Sequence, residues 1–338
     1  MMSDLRSLGR PGDWWELKLS PLLASGYATA FLLKIPLLPL LPVFLSLLLA
    51  LSVGAVYTSI LNDYCDLDSD ARCGKANRLA GRSSLFRAGI LLFSLSLGFL
   101  VMWLVRTYAS FLFLYIAAWL TYTAYSVPPL RLKGRGFWGA LADATGSEVL
   151  PRLMIVVAIC DSQAVSVPLG WATCLSVWSL VWGLRGIACH QFWDSRHDQT
   201  SQVRTWVALR PGRVQRLVEC ALFPLELLAF LFMMILANSS FWWPMLAVYL
   251  AAELMRQCNW STLQCHLAIV KGHGNDSRLV LGEFYVTFYP LIFLLSHVAR
   301  EPVSIFVLLF HLALFPQGPR AILWFFANQL RLACRRPL

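Results

Sequence analysis

Acidic side chains occur in two groups, far apart in the sequence, that share one spacing. In the segment LNDYCDLDSD the first group carries oxygen-bearing side chains at every fourth position, which are Asn62, Asp66 and Asp70. In the segment HQFWDSRHD the second group repeats that interval with His190, Asp194 and Asp198. Residues four apart lie on the same face of a helix, so each group predicts one helical face lined with candidate cation ligands.

Carboxylates at this spacing repel one another, especially where water is scarce, unless a cation holds them. Oxygen-only ligands suit Mg²⁺, which takes one or two carboxylates and completes its shell with water and phosphate oxygens. Two such faces turned toward each other would bind a diphosphate through Mg²⁺. Asp63 lies beside the first group and is a further candidate metal ligand, whereas Asp68 is expected to be solvated.

Basic residues near both groups are placed in the sequence to contact the same phosphates. They are Lys75, Arg78, Arg131, Lys133 and Arg204. A second interpretation stays open for them, because basic residues also accumulate in the cytosolic loops of membrane proteins.

The elements that must position these groups are membrane helices. The 338 residues are 58% hydrophobic and 14% charged, and the mean hydropathy is +0.62, outside the range of ordinary soluble domains. Long apolar runs recur along the chain without the alternation typical of barrel strands. We predict an all-α, polytopic transmembrane bundle of nine helices with a possible tenth segment. The predicted segments are 20–34, 41–62, 88–105, 110–126, 137–158, 167–188, 213–236, 241–258, 283–299 and 302–316.

The predicted organisation is a cytosolic lead-in at 1–19, one transmembrane domain at 20–316 and a basic C-terminal tail at 317–338. Most of the 28 Lys and Arg residues fall in the lead-in, in alternate loops and in the tail, so this side is predicted to be cytosolic. Membrane topology thereby explains the net charge of +10, and we expect no nucleic-acid partner. Glu148 and Arg152, four residues apart in a predicted membrane helix, are expected to pair with each other.

Three motifs resemble those of the UbiA superfamily of intramembrane prenyltransferases. NDYCDLDSD resembles the family's NDxxDxxxD motif, DSRHD resembles its DxxxD motif, and YSVPPLRLKGRG is similar to its tyrosine and double-proline segment after the fourth helix. The match extends over residues 20–215 in order and spacing, whereas the C-terminal third resembles the family only in hydrophobicity. The resemblance implies a nine-helix bundle around a central cavity, capped on the cytosolic side, where Mg²⁺ and an isoprenyl diphosphate bind.

Residue roles follow from the resemblance by motif position. It implies metal and diphosphate ligands at Asn62, Asp66, Asp70, Asp194 and Asp198. It implies diphosphate contacts at Lys75, Arg78 and Arg204, with Tyr125 and Lys133 as further candidates. Among these residues we expect Asp66 and Asp194 to be catalytic.

His190 departs from the pattern of the family, many members of which have asparagine at this position. Three interpretations stay open for this side chain: a structural histidine, an additional contact to the metal shell, and a catalytic base that accepts a proton beside the carbocation.

Three functions are compatible with these observations. The leading hypothesis is a Mg²⁺-dependent intramembrane prenyltransferase that transfers an isoprenyl group from its diphosphate to a lipophilic, aromatic acceptor. The alternative is a UbiA-type terpene cyclase, which ionises the same substrate without an acceptor. A non-catalytic transporter or scaffold is disfavoured, because both acidic motifs keep their carboxylates.

Overall fold

The computed structural model describes residues 9–194, 203–259, 264–266, 269–271 and 277–335. Twelve main helices account for most of these residues. They are α1 (Ser20–Leu32), α2 (Leu41–Cys73), α3 (Ser84–Leu104), α4 (Ala109–Ser126), α5 (Phe137–Ala144), α6 (Leu150–Ser162), α7 (Leu169–Trp193), α8 (Pro211–Ala237), α9 (Trp242–Asn259), α10 (Phe284–Arg300), α11 (Ile305–Leu314) and α12 (Gln317–Arg335). Three short strands, β1 (Gln264–His266), β2 (Ile269–Lys271) and β3 (Ser277–Leu279), form an antiparallel sheet in that order.

A helix is present at every predicted segment, so the helical prediction is confirmed, while the small sheet and α12, which lies in the predicted tail, were not predicted. Among the predicted helices the largest difference is in α2, which was predicted to end at residue 62 and ends at Cys73. The apolar run stops at 62, but the polar residues that follow continue the helix. Gly74 ends it with a φ of +66°, a conformation that glycine adopts without strain.

Four helices in the described parts of the chain are long and apolar enough to cross a membrane. They are Leu38–Cys73, Ser84–Leu104, Leu169–Trp193 and Pro211–Ala237. Two consecutive segments, Pro302–Leu314 and Gln317–Ala327, meet the same criteria together but are bent by 84°, which raises the count to five if they form one span. The prediction of nine spans therefore stays a prediction.

The chain divides into two compact units. Unit 1 comprises Met1–Trp14 and Pro42–Met233, and unit 2 comprises Trp15–Leu41 and Met234–Leu338. In unit 1, α5 packs closely against α7, where a Cβ on Gly183 would lie 2.8 Å from Ala144. That close approach needs small residues, and it fixes α7, the helix that carries the second acidic group.

Unit 2 is built on the packing of α1 against α10. Several of its polar side chains form hydrogen bonds across the packed helices: the Tyr27 hydroxyl lies 3.2 Å from Nδ1 of His311, and Arg300 donates to the Phe31 carbonyl at 3.1 Å. The Glu16 carboxylate accepts the backbone N–H groups of Gln317 and Gly318 and so caps the start of α12.

Two acid–base pairs are buried in the described part of unit 1. Arg152 of α6 pairs with Glu148, which confirms the predicted contact, and its guanidinium lies 4.7 Å from the centre of the Trp178 ring. Arg185 of α7 donates from Nε and Nη2 to the two carboxylate oxygens of Glu226 of α8, at 2.7 and 2.6 Å. Both members of each pair are almost fully buried, as ionised groups inside a membrane protein must be paired.

Candidate functional site

One cavity in unit 1, of about 160 Å³, is lined by most of the predicted site residues. Its walls come from α2 and the start of the loop after it, the end of α4 with the loop after it, the end of α7, and residues 203–205. The predicted residues in its lining are Asn62, Asp66, Asp70, Lys75, Tyr125, Arg131, Lys133, His190 and Asp194. Ser69, Cys73, Ile187, Gln191, Val203 and Thr205 complete the lining. We call it the motif cavity.

The first acidic group lies along one face of α2, as its spacing predicted. Asn62, Asp66 and Asp70 all line the motif cavity because the helix continues unbroken through them. Asp68 points elsewhere and is exposed, which confirms the expectation that it is solvated.

Asp66 is paired with two cations from the loop after α4. Oδ1 of Asp66 accepts from Nη2 of Arg131 at 3.1 Å and from Nζ of Lys133. The same Nζ of Lys133 donates to Oδ1 of Asn62 at 3.2 Å. Lys133 is largely buried, and burial lowers the pKa of its ammonium group while the Asp66 carboxylate acts in the opposite direction.

The backbone of this loop turns its basic side chains toward α2. Arg131 has a left-handed φ of +34°, and its N–H closes a turn onto the Val127 carbonyl at 2.8 Å. Gly136 has a φ of +59°, and a Cβ at that position would lie 2.9 Å from Cδ1 of Leu209. The N–H of Gly136 donates to the Arg204 carbonyl at 2.9 Å, which joins this loop to the segment after the second acidic group.

The second acidic group reaches the motif cavity at the end of α7. Oδ2 of Asp194 lies 3.5 Å from Nε2 of His190 and 3.7 Å from Nζ of Lys75. The His190 side chain is 61% exposed, so it is open to a molecule in the cavity. One residue further along, the side-chain oxygen of Gln191 accepts the N–H of Val207 at 3.1 Å. Asp198 lies outside the described residues.

Asp63 and Arg78 are placed differently from the residues that line the cavity. The Asp63 carboxylate is buried and pairs with Arg10, and Nη1 of Arg78 lies 4.0 Å from its Oδ2. Asn77 donates to the Asp63 carbonyl and to Oδ2 of Asp70, each at 2.8 Å. The loop after α2 is thus folded back onto α2, and Asn77 of this loop holds the carboxylate of Asp70, which faces the cavity.

Arg204 is exposed and contributes its carbonyl oxygen to the contact with Gly136. Its neighbour Thr205 lines the cavity and caps the short helix Trp206–Leu209, since its hydroxyl accepts the Ala208 N–H at 3.2 Å.

The sequence model of the UbiA prenyltransferase family matches residues 19–263. This chain belongs to that family. Family membership and the apolar helices together make it an integral membrane protein. A comparison with curated proteins found no match to this chain.

Solved structures with the same fold come from a UbiA homologue of Archaeoglobus fulgidus. The structure bound to GPP and Mg²⁺ has a TM-score of 0.56 at 16% identity, over 91% of this chain and 98% of that chain. The structure bound to DMAPP and Mg²⁺ has a TM-score of 0.53 at 14% identity, over 92% and 98% of the two chains. At this identity the likeness establishes the fold.

The oxygen ligands of this UbiA-family protein suit a divalent cation. In the described parts of the chain, no three His, Cys, Asp or Glu side chains converge as a ready metal site. The oxygens of Asn62 and Asp66 nevertheless converge on a single cation, the ammonium group of Lys133. Two oxygens that share one ammonium can share one metal ion, so the donor set fits Mg²⁺ chemically.

Sequence reasoning missed three residues that organise the site. Asn77 and Gln191 stand close to the motifs in sequence, so their amide side chains could have been singled out by position. Arg10 lies 53 residues from its partner Asp63, and the sequence carries no signal that joins them.

Proposed function

We propose that this protein is a Mg²⁺-dependent intramembrane prenyltransferase that transfers an isoprenyl group from its diphosphate to a lipophilic, aromatic acceptor. One observation carries the proposal: the carboxylates and amide of both acidic motifs and the cations of two loops line the same cavity. Oxygen ligands and phosphate-binding cations are then within reach of a single diphosphate. The homologue bound to GPP or DMAPP with Mg²⁺ supports the same class of donor.

The metal ligands in this proposal are the oxygen-bearing side chains of the two motifs. They are Asn62, Asp66, Asp70 and Asp194, with Asp198 beyond the described residues. When bound there, Mg²⁺ would neutralise the charge that develops on the departing diphosphate. The protein itself supplies Lys75, Arg131 and Lys133 around the same cavity, and these cations bind phosphate oxygens in the ground state and the transition state.

Binding of the substrate would exchange partners within the cavity. Lys133 and Arg131 now neutralise Asp66, and Lys75 lies near Asp194. A diphosphate with its cations presents both signs of charge, so the carboxylates turn to the metal and the basic side chains turn to the phosphates. Neither set is left unpaired, which keeps the cost of removing water from the charges low.

The remaining predicted residues take supporting parts in the proposal. Asp63 is paired with Arg10, and Arg78, which lies 4.0 Å from Asp63 and is absent from the cavity lining, is a candidate contact that must turn toward the cavity to reach a diphosphate. Arg204 is anchored through its backbone with its side chain exposed, and it is a candidate contact at the mouth of the cavity. Tyr125 lines the wall beside Lys133 and is a candidate diphosphate contact.

We place the motif cavity on the cytosolic side of a multi-pass membrane protein. Single-cysteine variants test this placement with a membrane-impermeant thiol reagent. Cys73, which lines the cavity, should be labelled only from the cytosolic side, and a cysteine at the exposed Ser240 only from the other side. Labelling of both positions from one side would contradict the placement.

The proposal is tested by the products of the purified protein with Mg²⁺. Dimethylallyl, geranyl, farnesyl and geranylgeranyl diphosphates are supplied with and without aromatic acceptors, and products are identified by mass spectrometry. A prenylated acceptor that is absent with Asp66→Asn supports the proposal. A hydrocarbon formed without any acceptor would instead establish a terpene cyclase. If the protein turns over none of these donors, the proposal is contradicted.

A further inference from the structure

We propose that Gln191 binds the substrate diphosphate directly, through the NH₂ group of its side-chain amide. The inference rests on the proposed function, because it names a further contact in the same cavity. Gln191 lies in the last turn of α7, between His190 and Asp194, and lines the motif cavity although only 6% of the residue is exposed.

The orientation of the amide follows from its one fixed contact. Its oxygen accepts the backbone N–H of Val207 at 3.1 Å, and a backbone N–H is a donor only. The oxygen end is therefore committed to Val207, which is buried and absent from the cavity lining. The NH₂ group lies in the same amide plane, on the other side of the Cγ–Cδ bond, and is the polar part of Gln191 that can face the cavity.

The chemistry of an NH₂ group limits what it can bind. It carries two donors and no acceptor, so it cannot ligate a metal ion. A phosphate oxygen is the acceptor that the proposed substrate brings into a cavity already lined with cations. A neutral donor adds a directed hydrogen bond there without adding charge, and the contact to Val207 holds it in place.

Two substitutions separate binding from support of the fold. Gln191→Glu keeps the oxygen that accepts from Val207 and replaces the NH₂ group with a negatively charged oxygen. Gln191→Met keeps a similar length and removes both functions. Gln163→Glu is the matched control, since it makes the same charge change at an exposed position outside the cavity lining. Each purified variant is measured for thermal midpoint, kcat and KM for the prenyl diphosphate, and for Kd of inorganic diphosphate with Mg²⁺ by calorimetry.

The proposal predicts that Gln191→Glu raises KM and Kd by about tenfold or more, because a hydrogen bond to a charged phosphate contributes at least that much to binding. The thermal midpoint checks that Gln191→Glu is folded, and Gln163→Glu should leave kcat, KM and Kd unchanged. An unchanged Kd in Gln191→Glu would overturn the proposal and leave Gln191 as a support for Val207 alone.

If Gln191→Glu does not fold, Gln191→Met decides the matter. A rise of about threefold or more in Kd, with a folded protein, supports the contact, and an unchanged Kd overturns it. The calorimetry also separates this inference from the proposed function. A wild-type protein that binds inorganic diphosphate with Mg²⁺ but turns over no prenyl donor refutes the prenyltransferase, while the ratio of Kd values still tests Gln191.

Discussion

Acid–base pairs occur in two environments within unit 1, and the difference between them separates function from support. In the motif cavity, Asp66 is shared by Arg131 and Lys133, and these side chains keep 14%, 37% and 11% exposure. In the buried pair, Arg185 meets both oxygens of Glu226 and neither side chain is exposed. Both arrangements neutralise charge inside a membrane protein.

The ion pairs in the cavity can exchange partners, because a charged ligand can reach them. A metal ion can replace the basic partner of a carboxylate, and a phosphate can replace the acidic partner of a basic side chain. The Arg185–Glu226 pair cannot exchange partners, since its fork-like geometry satisfies both oxygens and the aromatic rings of Trp182 and Phe223 cover the guanidinium at 5.1 and 4.9 Å. We infer that exposure to the cavity, more than the presence of a charged pair, marks the residues that carry the chemistry.

The comparison is tested most severely by Asp66→Asn. The substitution keeps the size of the side chain and removes the charge that would hold the metal, so turnover should fall by at least about 10³-fold. The folded protein should keep its thermal midpoint, because Asp66 is partly exposed. Steady-state rates and thermal unfolding in detergent provide the two measurements, with Asp194→Asn as the partner variant. Wild-type turnover in either variant would contradict the assignment.

The buried pair should respond in the opposite way. Glu226→Gln leaves the Arg185 charge buried without its carboxylate, which should lower the free energy of unfolding by about 3–5 kcal/mol. Activity per folded molecule should stay near wild type. Glu219→Gln, on the same helix but partly exposed, is the control for loss of a carboxylate. A stable Glu226→Gln protein that has lost turnover would show that this buried pair takes part in the reaction, and it would contradict the distinction between buried pairs and cavity pairs.

His190 sharpens the comparison, because it is exposed to the cavity and is not fully paired by its contact with Asp194. If His190 is the base that accepts the proton, His190→Asn should lower kcat by about 10²-fold while binding of inorganic diphosphate with Mg²⁺ is kept. Rapid-mixing kinetics and calorimetry measure the two quantities. A wild-type kcat would make the histidine structural, and a loss of Mg²⁺ affinity would make it a contact to the metal shell.

Arg131 is expected to give the smallest of these effects. Arg131→Ala should raise KM for the prenyl diphosphate by about tenfold with little change in kcat, since this cation binds the diphosphate before and during ionisation. Arg135→Ala is the matched control, because Arg135 lies in the same loop, is exposed, and donates to the Pro129 carbonyl at 2.7 Å. Equal KM values for both variants would remove Arg131 from the binding set.

The sequence predicted the helices well because apolar runs of membrane length leave few alternatives. It placed Asn62, Asp66 and Asp70 on one face correctly, because residues four apart lie on the same face of an α-helix. The end of α2 was wrong by eleven residues, since hydropathy reports where lipid ends and a helix can continue into water. Helix termination at Gly74 depends on backbone conformation, which hydropathy does not sense.

The pairing of Glu148 with Arg152 was predicted from their spacing, but partner choice among the charged residues of the candidate site could not be predicted. The sequence predicted Lys133 and Arg131 as diphosphate contacts. Their observed contacts with Asp66 depend on the left-handed backbone of Arg131 and on a loop that is anchored through Gly136. In the same way, Asp63 looked like a metal ligand by its neighbours, whereas it lies buried against Arg10, a residue remote in the chain. Such contacts arise from tertiary packing and leave no local pattern.

The central claim is that both acidic motifs hold one Mg²⁺-bound diphosphate in the motif cavity. Crystals of the protein grown with a non-reactive prenyl thiolodiphosphate, and with Mn²⁺ in place of Mg²⁺, test it directly by anomalous scattering. The account predicts Mn²⁺ peaks beside the side-chain oxygens of Asn62, Asp66 and Asp194, with the diphosphate between them and Lys133 turned from Asp66 to a phosphate oxygen. Mn²⁺ and diphosphate bound elsewhere, with the Asp66–Lys133 contact unchanged, would contradict it.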